Sequence, residues 1–113
     1  MTFVTMRKTL RQPFKQFFGT LANQPRLDII ESLREKPLSV KHICKASGLH
    51  QSTASHNLRR LEECGFVTVK QNGRERIYSL NAKTIGPLLN IMHSHMKNNC
   101  VHAVHRKVGI KHD

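Results

Sequence analysis

The stretch HQSTASHNLRRLEECGFVTVKQNGRERIYSL, residues 50–80, decides the fold. In its first half Ala54, Leu58 and Leu61 fall at i, i+4 and i+7, one narrow apolar stripe along a helix from His50 to Cys64 that Gly65 ends. The opposite face carries Ser52, His56 and Arg59, flanked by Thr53, Ser55 and Arg60. In the second half Phe66 to Lys70 alternates with period two, Asn72-Gly73 is a strong hairpin signal, and Arg76 to Leu80 alternates back. A helix followed at once by a hairpin with a basic tip is the predicted core of the chain.

Working outward, Ser39 is a good cap for a short helix with Val40, Ile43 and Cys44 facing inward, and Gly48 supplies its left-handed stop. Before it, Asn23 can cap a helix carrying Leu27, Ile30 and Leu33 on one face, which Lys36-Pro37 ends. Phe14, Phe17, Phe18 and Leu21 recur at helical spacing. Residues 1–12 read as a basic arm ending at Pro13, residues 13–99 as one folded domain, and residues 100–113 as a His-rich basic tail or the end of the last helix. In that last helix Thr84 is the expected cap, Pro87 sits in the tolerant first turn, and Leu88, Leu89, Ile91, Met92 and Met96 form a broad apolar arc.

The expected fold is therefore mainly α with a small β-hairpin: two short helices joined by a tight turn, then a wing, a winged helix-turn-helix. Each part suits duplex DNA. A helix fits the major groove, and side chains near its N-terminus meet base edges, which assigns Gln51, Ser52, Thr53, Ser55 and His56 to that task. Arg59 and Arg60, further along the helix, are better placed for the phosphate backbone, and Lys70, Arg74 and Arg76 on the wing for a neighbouring phosphate or minor groove.

Composition agrees and excludes alternatives. The chain has 113 residues and a net charge of +12 with histidine neutral, a surplus that points to a polyanionic partner. With no Trp, one Tyr and five Phe, it offers few platforms for stacking single-stranded bases. No apolar run reaches the length of a bilayer span, and the first twenty residues lack the apolar segment of a secretory signal, so a cytoplasmic protein without a membrane partner is expected. Three cysteines without paired spacing fit reduced thiols. No nucleophile with a base, no paired carboxylates and no phosphate loop are present, so an enzyme is not expected.

The run Phe18 to Ile30 (FGTLANQPRLDII) resembles the opening of the arsenic-repressor (ArsR/SmtB) family of winged-helix regulators. Gly48 to Glu62 (GLHQSTASHNLRRLE) is similar to that family's recognition helix, with its Gln-Ser-Thr, a following Ser and Leu-x-x-Leu-Glu, and Gly65-Phe66-Val67 with Asn72-Gly73-Arg74 continues the likeness into the wing. The resemblance covers about residues 14–98. It implies a homodimer formed by the first and last helices, an operator with two half-sites, and repression relieved or tuned by a ligand. His50 stands where the family usually has Ser or Thr before the recognition helix.

The family also implies candidate metal sites. An ungapped alignment from Leu38 to Leu58 puts Ser39 and Lys41 where a cysteine pair would stand, leaving Cys44, so a soft-metal thiolate site on that helix is not expected. His93-x-His95 followed by His102-x-x-His105 resembles the family's last-helix zinc pattern, although the first ligand is His where Asp is usual and the gap is about one turn short. Imidazole suits Zn, Ni or Co, and Cys100 lies beside the cluster as a further ligand or a thiol switch. On one straight helix His93 and Cys100 share a face while His95 and His102 lie nearly opposite; a helix ending at Lys97-Asn98-Asn99 would instead leave Cys100 to His105 free to fold back.

Two readings of function stand side by side: a sequence-specific regulator of duplex DNA, metal-responsive through this cluster, and a winged-helix module that binds RNA or a protein partner with no metal or ligand sensing.

Overall fold

The computed structural model describes residues 3–100, with side chains from residue 12 onward. In chain order the elements are α1 (Phe3–Leu21), α2 (Gln24–Ser32), β1 (Leu38–Ser39), α3 (Val40–Ser47), α4 (Gln51–Glu63), β2 (Val67–Asn72), β3 (Glu75–Leu80) and α5 (Ile85–Asn99). The described residues fall into two compact units, one up to Leu80 and one from Asn81. Among the described residues no helix is long and apolar enough to cross a membrane.

In the first unit α4 packs on α2 and α3, and burial follows the stripe expected of it: Ala54, Leu58 and Leu61 have no exposed surface. Their burial, with that of Ile29, Ile30 and Ile43, supplies the apolar area that holds three short helices together. On α2 the inward pair is Ile29 and Ile30, whereas Leu27 is 36% exposed. Leu27 lies in the first turn, its N–H closing on the Asn23 carbonyl, while Ile30 and Leu33 of the expected face are buried. Phe17 meets Phe66 edge-on at 5.1 Å between ring centres, but Phe14 and Phe18 remain 58% and 63% exposed.

The caps explain where helices begin. The Asn23 side chain accepts the Arg26 N–H at 3.1 Å, and Ser39 Oγ accepts the His42 N–H at 3.4 Å. Gly48 ends α3 at φ +78°, a backbone region that costs a Cβ-bearing residue energy. Helix α1 runs through Pro13, where the sequence reading ends an arm; the missing N–H there costs one helical bond, while Phe17 and Leu21 hold the following turns.

The sheet has three strands in the order β1-β3-β2, all antiparallel. The third strand, β1, is only two residues long and carries no periodicity of its own; its pairing of Leu38 with Tyr78 and Ser39 with Ile77 anchors the wing to the start of α3. Strand β2 extends to Asn72, pairing with Glu75 across the Gly73-Arg74 turn, with Gly73 at φ +66°.

In the second unit Ile85 and Leu89 of α5 are buried, while Ile91 and Met96 are 66% and 38% exposed. Thr84 makes no side-chain cap; the Asn81 carbonyl accepts the Thr84 and Ile85 N–H groups at 3.3 and 3.0 Å, so a backbone turn starts this helix. The helix ends at Asn99, and Cys100 is extended at φ −91°, ψ 120°.

Candidate nucleic-acid interface

With its apolar stripe turned inward, α4 presents Gln51, Ser52, Ser55, His56, Arg59 and Arg60 to solvent, and Thr53 lies half-buried at the edge of that face. On the wing Lys70, Arg74 and Arg76 are exposed. Between helix and wing runs a groove of about 560 Å³, with Gln51, Ser55 and Arg59 on one wall and Arg74 and Arg76 on the other. Ser52, His56 and Arg60 are exposed on α4 but do not line this groove, and neither does Lys70 on β2.

The groove is also lined by three charged residues that sequence reasoning missed, Lys41, Glu62 and Glu75. Lys41 adds a cation from the first turn of α3, and a Lys just behind the Ser39 cap was the available signal. Beside Glu75 of the wing, Glu62 is the second acid in the groove. Its Oε1 lies 4.0 Å from Arg76 Nη2, and the Arg76 guanidinium lies 5.8 Å above the Tyr78 ring. Arg59 in turn reaches Glu63 at 3.7 Å. These pairs are solvated and weak, so they orient the two arginines without locking them.

His50 has N-cap geometry at φ −68°, ψ 152° but makes no side-chain bond to the helix. The first-turn amides of α4 thus lack the acceptor that Asn23 and Ser39 provide to α2 and α3, which leaves them suited to a phosphate oxygen. Positive side chains on both walls, short polar groups on the helix face and unsatisfied amides at its start make a surface shaped for an extended polyanion.

The metal candidates lie elsewhere. His93 and His95 are exposed on α5 and, two residues apart, project to nearly opposite sides of that helix. Cys100 is half-buried at its C-cap, and His102 and His105 lie outside the described residues. Among the described residues no three His, Cys, Asp or Glu side chains converge on a metal-sized site.

Comparison with known proteins accords with this geometry. Residues 23–69 match the family described as "Bacterial regulatory protein, arsR family". The chain is 41% identical over 76 residues to the HTH-type transcriptional regulator NmtR of Mycobacterium tuberculosis, a match covering 66% of this chain and 63% of that protein. It thus spans somewhat less than two thirds of that curated relative. The crystal structure of Rv0081 of Mycobacterium tuberculosis superposes with a TM-score of 0.73 at 33% identity, covering 77% of this chain and 88% of that one. A solution structure of the homodimeric winged helix-turn-helix DNA-binding domain of Mb0332 from Mycobacterium bovis, a possible ArsR-family regulator, gives a TM-score of 0.76 at 27% identity, covering 85% and 90%. These are regulators and not enzymes, their fold is the winged helix-turn-helix, and the chain belongs to the arsR family of bacterial regulatory proteins.

Proposed function

We propose that the protein is a homodimeric, sequence-specific regulator of duplex DNA in the cytoplasm. The observation that carries this reading is the groove in which Gln51, Ser55 and Arg59 face Arg74 and Arg76. In it α4 enters the major groove, Gln51, Ser52, Thr53, Ser55 and His56 read base edges, Arg59 and Arg60 meet the backbone, and Lys70, Arg74 and Arg76 hold the flanking phosphates. Dimerisation would cover the exposed Phe14 and Phe18 of α1 and Ile91 and Met96 of α5, which a lone chain leaves in water. A dimer spaces two α4 helices to meet half-sites about 34–36 Å apart. Repression is the favoured sign of regulation, since occupying a promoter needs only a grip on DNA.

A gel shift at physiological salt tests the reading. Tight, salt-sensitive binding to the promoter of the protein's own operon, well above binding to an unrelated duplex, is expected. Equal affinity for both, unaltered by Gln51→Ala or His56→Ala, overturns it. Stronger competition by structured RNA than by duplex DNA, or a monomer in sedimentation, would favour the RNA- or protein-binding module instead.

Metal responsiveness is the finer proposal. The end of α5 at Asn99 supports it, because Cys100 is then not held to a helical face; His93 and His95 stay on opposite sides of α5, so one of the two would join Cys100, His102 and His105. In this reading imidazole and thiolate ligands from that segment hold Zn, Ni or Co, and the metal changes operator affinity. Titration with Co²⁺, with and without reductant, tests it: no new absorbance and no change in DNA affinity at excess metal would assign the cluster a different role.

A further inference from the structure

The sequence reading of α4 as an apolar stripe passes over Asn57, which lies in that stripe at 6% exposure. Both ends of its amide are used. Nδ2 donates to the Thr53 carbonyl at 2.9 Å, and Oδ1 accepts from Arg26 Nε at 2.9 Å. The guanidinium of Arg26 is half-buried on α2, and its Nη1 donates to the Thr20 carbonyl at 3.3 Å, at the end of α1. Thr20, 2% exposed, makes one more contact: its Oγ1 lies 3.3 Å from Sγ of Cys64, the C-cap of α4. The end of α1 therefore holds α4 at two points seven residues apart, through Arg26 at Asn57 and directly at Cys64.

Two such points fix what an apolar stripe leaves loose. Burial of Ala54, Leu58 and Leu61 decides which face of α4 turns inward, but contact among aliphatic groups is not directional and tolerates a small roll. A roll of about 20° moves a group at the ~6 Å outer radius of a helix by about 2 Å, enough to break a hydrogen bond to a base edge. A planar guanidinium bonded to two elements at once has no such latitude.

We propose that Arg26 is a positioning residue for DNA reading: through Asn57 it sets the roll of α4, and so the aim of Gln51, Ser52, Ser55 and His56, without touching DNA itself. The proposal rests on the reading of α4 as a recognition helix. Its signature is loss of sequence discrimination with non-specific binding retained, because the wing cations Lys70, Arg74 and Arg76 stay where they are and the long side chains of Arg59 and Arg60 can follow a phosphate through a small roll.

The experiment begins with a random-sequence duplex pool, from which the full-length wild-type protein selects its preferred site. Affinity is then measured for that duplex and for a scrambled duplex of equal composition, each over a salt series. For Arg26→Gln, affinity for the selected duplex should fall about ten-fold, the size of one ill-fitting base pair, with scrambled-duplex affinity and salt slope unchanged. Arg26→Lys keeps the charge but loses the fork, and should show the same fall. The double variant Arg26→Met with Asn57→Leu leaves no polar side-chain atom unpaired and takes a donor from the Thr20 and Thr53 carbonyls, so it should melt a few degrees below wild type, remain folded at the assay temperature and still lose preference. Full preference retained in that double variant overturns the proposal. So does an equal loss on both duplexes with a salt slope shallower by about one, which would make Arg26 a phosphate contact. Failure of the wild type to enrich any sequence overturns the recognition-helix reading itself, and this proposal with it.

Discussion

Glu62 on α4 reaches Arg76 on the wing, Oε1 to Nη2 at 4.0 Å, in the groove whose walls carry the proposed DNA contacts. An acid in that position competes with phosphate for a cation and repels the phosphate itself. Glu62→Gln should therefore raise affinity for any duplex and steepen the dependence of log K on log salt by about one, as Arg76 gains a free hand. Because the pair is 54% and 40% exposed, thermal stability should stay within about 1 kcal/mol of wild type. A salt titration of an unrelated duplex checks this; an unchanged slope with lower affinity would refute it.

The two classes of contact separate by substitution. Gln51→Ala should cost about 1–3 kcal/mol on the preferred sequence only. Arg74→Ala, at the tip of the wing, should weaken all duplexes alike and reduce the salt slope by about one. Parallel binding curves on preferred and unrelated duplexes distinguish these outcomes.

Gly48 joins α3 to the turn at φ +78°, with no atom within 4 Å of where a Cβ would stand. The cost of Gly48→Ala is thus backbone strain alone, roughly 1–2 kcal/mol. A fall in melting temperature of about 4–10 °C is expected, with the folded protein still binding DNA. A melting temperature equal to wild type would show that the turn relaxes.

The phenylalanines should divide by burial. Phe66 is 2% exposed and packs against Phe17, so Phe66→Ala should cost about 3–5 kcal/mol and leave much of the protein unfolded. Phe18→Ser, at a 63% exposed position, should change the stability of the folded chain by no more than about 0.5 kcal/mol. If α1 forms the dimer, the same change should halve the sedimenting mass. Sedimentation and thermal denaturation of both variants provide the check.

Sequence alone determined what is local. Periodicity marked the helices, Asn23 and Ser39 marked two of their starts, Gly48 and Gly65 two of their ends, and Asn72-Gly73 the hairpin, because each signal lies within a few residues of the feature it produces. The same locality made the outward side chains of α4 and the wing cations legible. Tertiary structure decided whatever needs a partner distant in the chain. Strand β1 exists only because β3 offers it hydrogen bonds, and Thr84 makes no side-chain cap on α5, where its backbone is αR and the N3 residue, Pro87, has no N–H to give. Ile29 faces inward in place of Leu27 because a helix of nine residues turns to wherever its neighbours leave apolar surface. Asn57 could be read as polar but not as paired: Arg26 lies 31 positions away, and only the fold brings its guanidinium within 2.9 Å. Hydrogen bonds of that kind are directional and non-local, so they leave no period in the sequence, yet they set the angle at which a legible surface is presented.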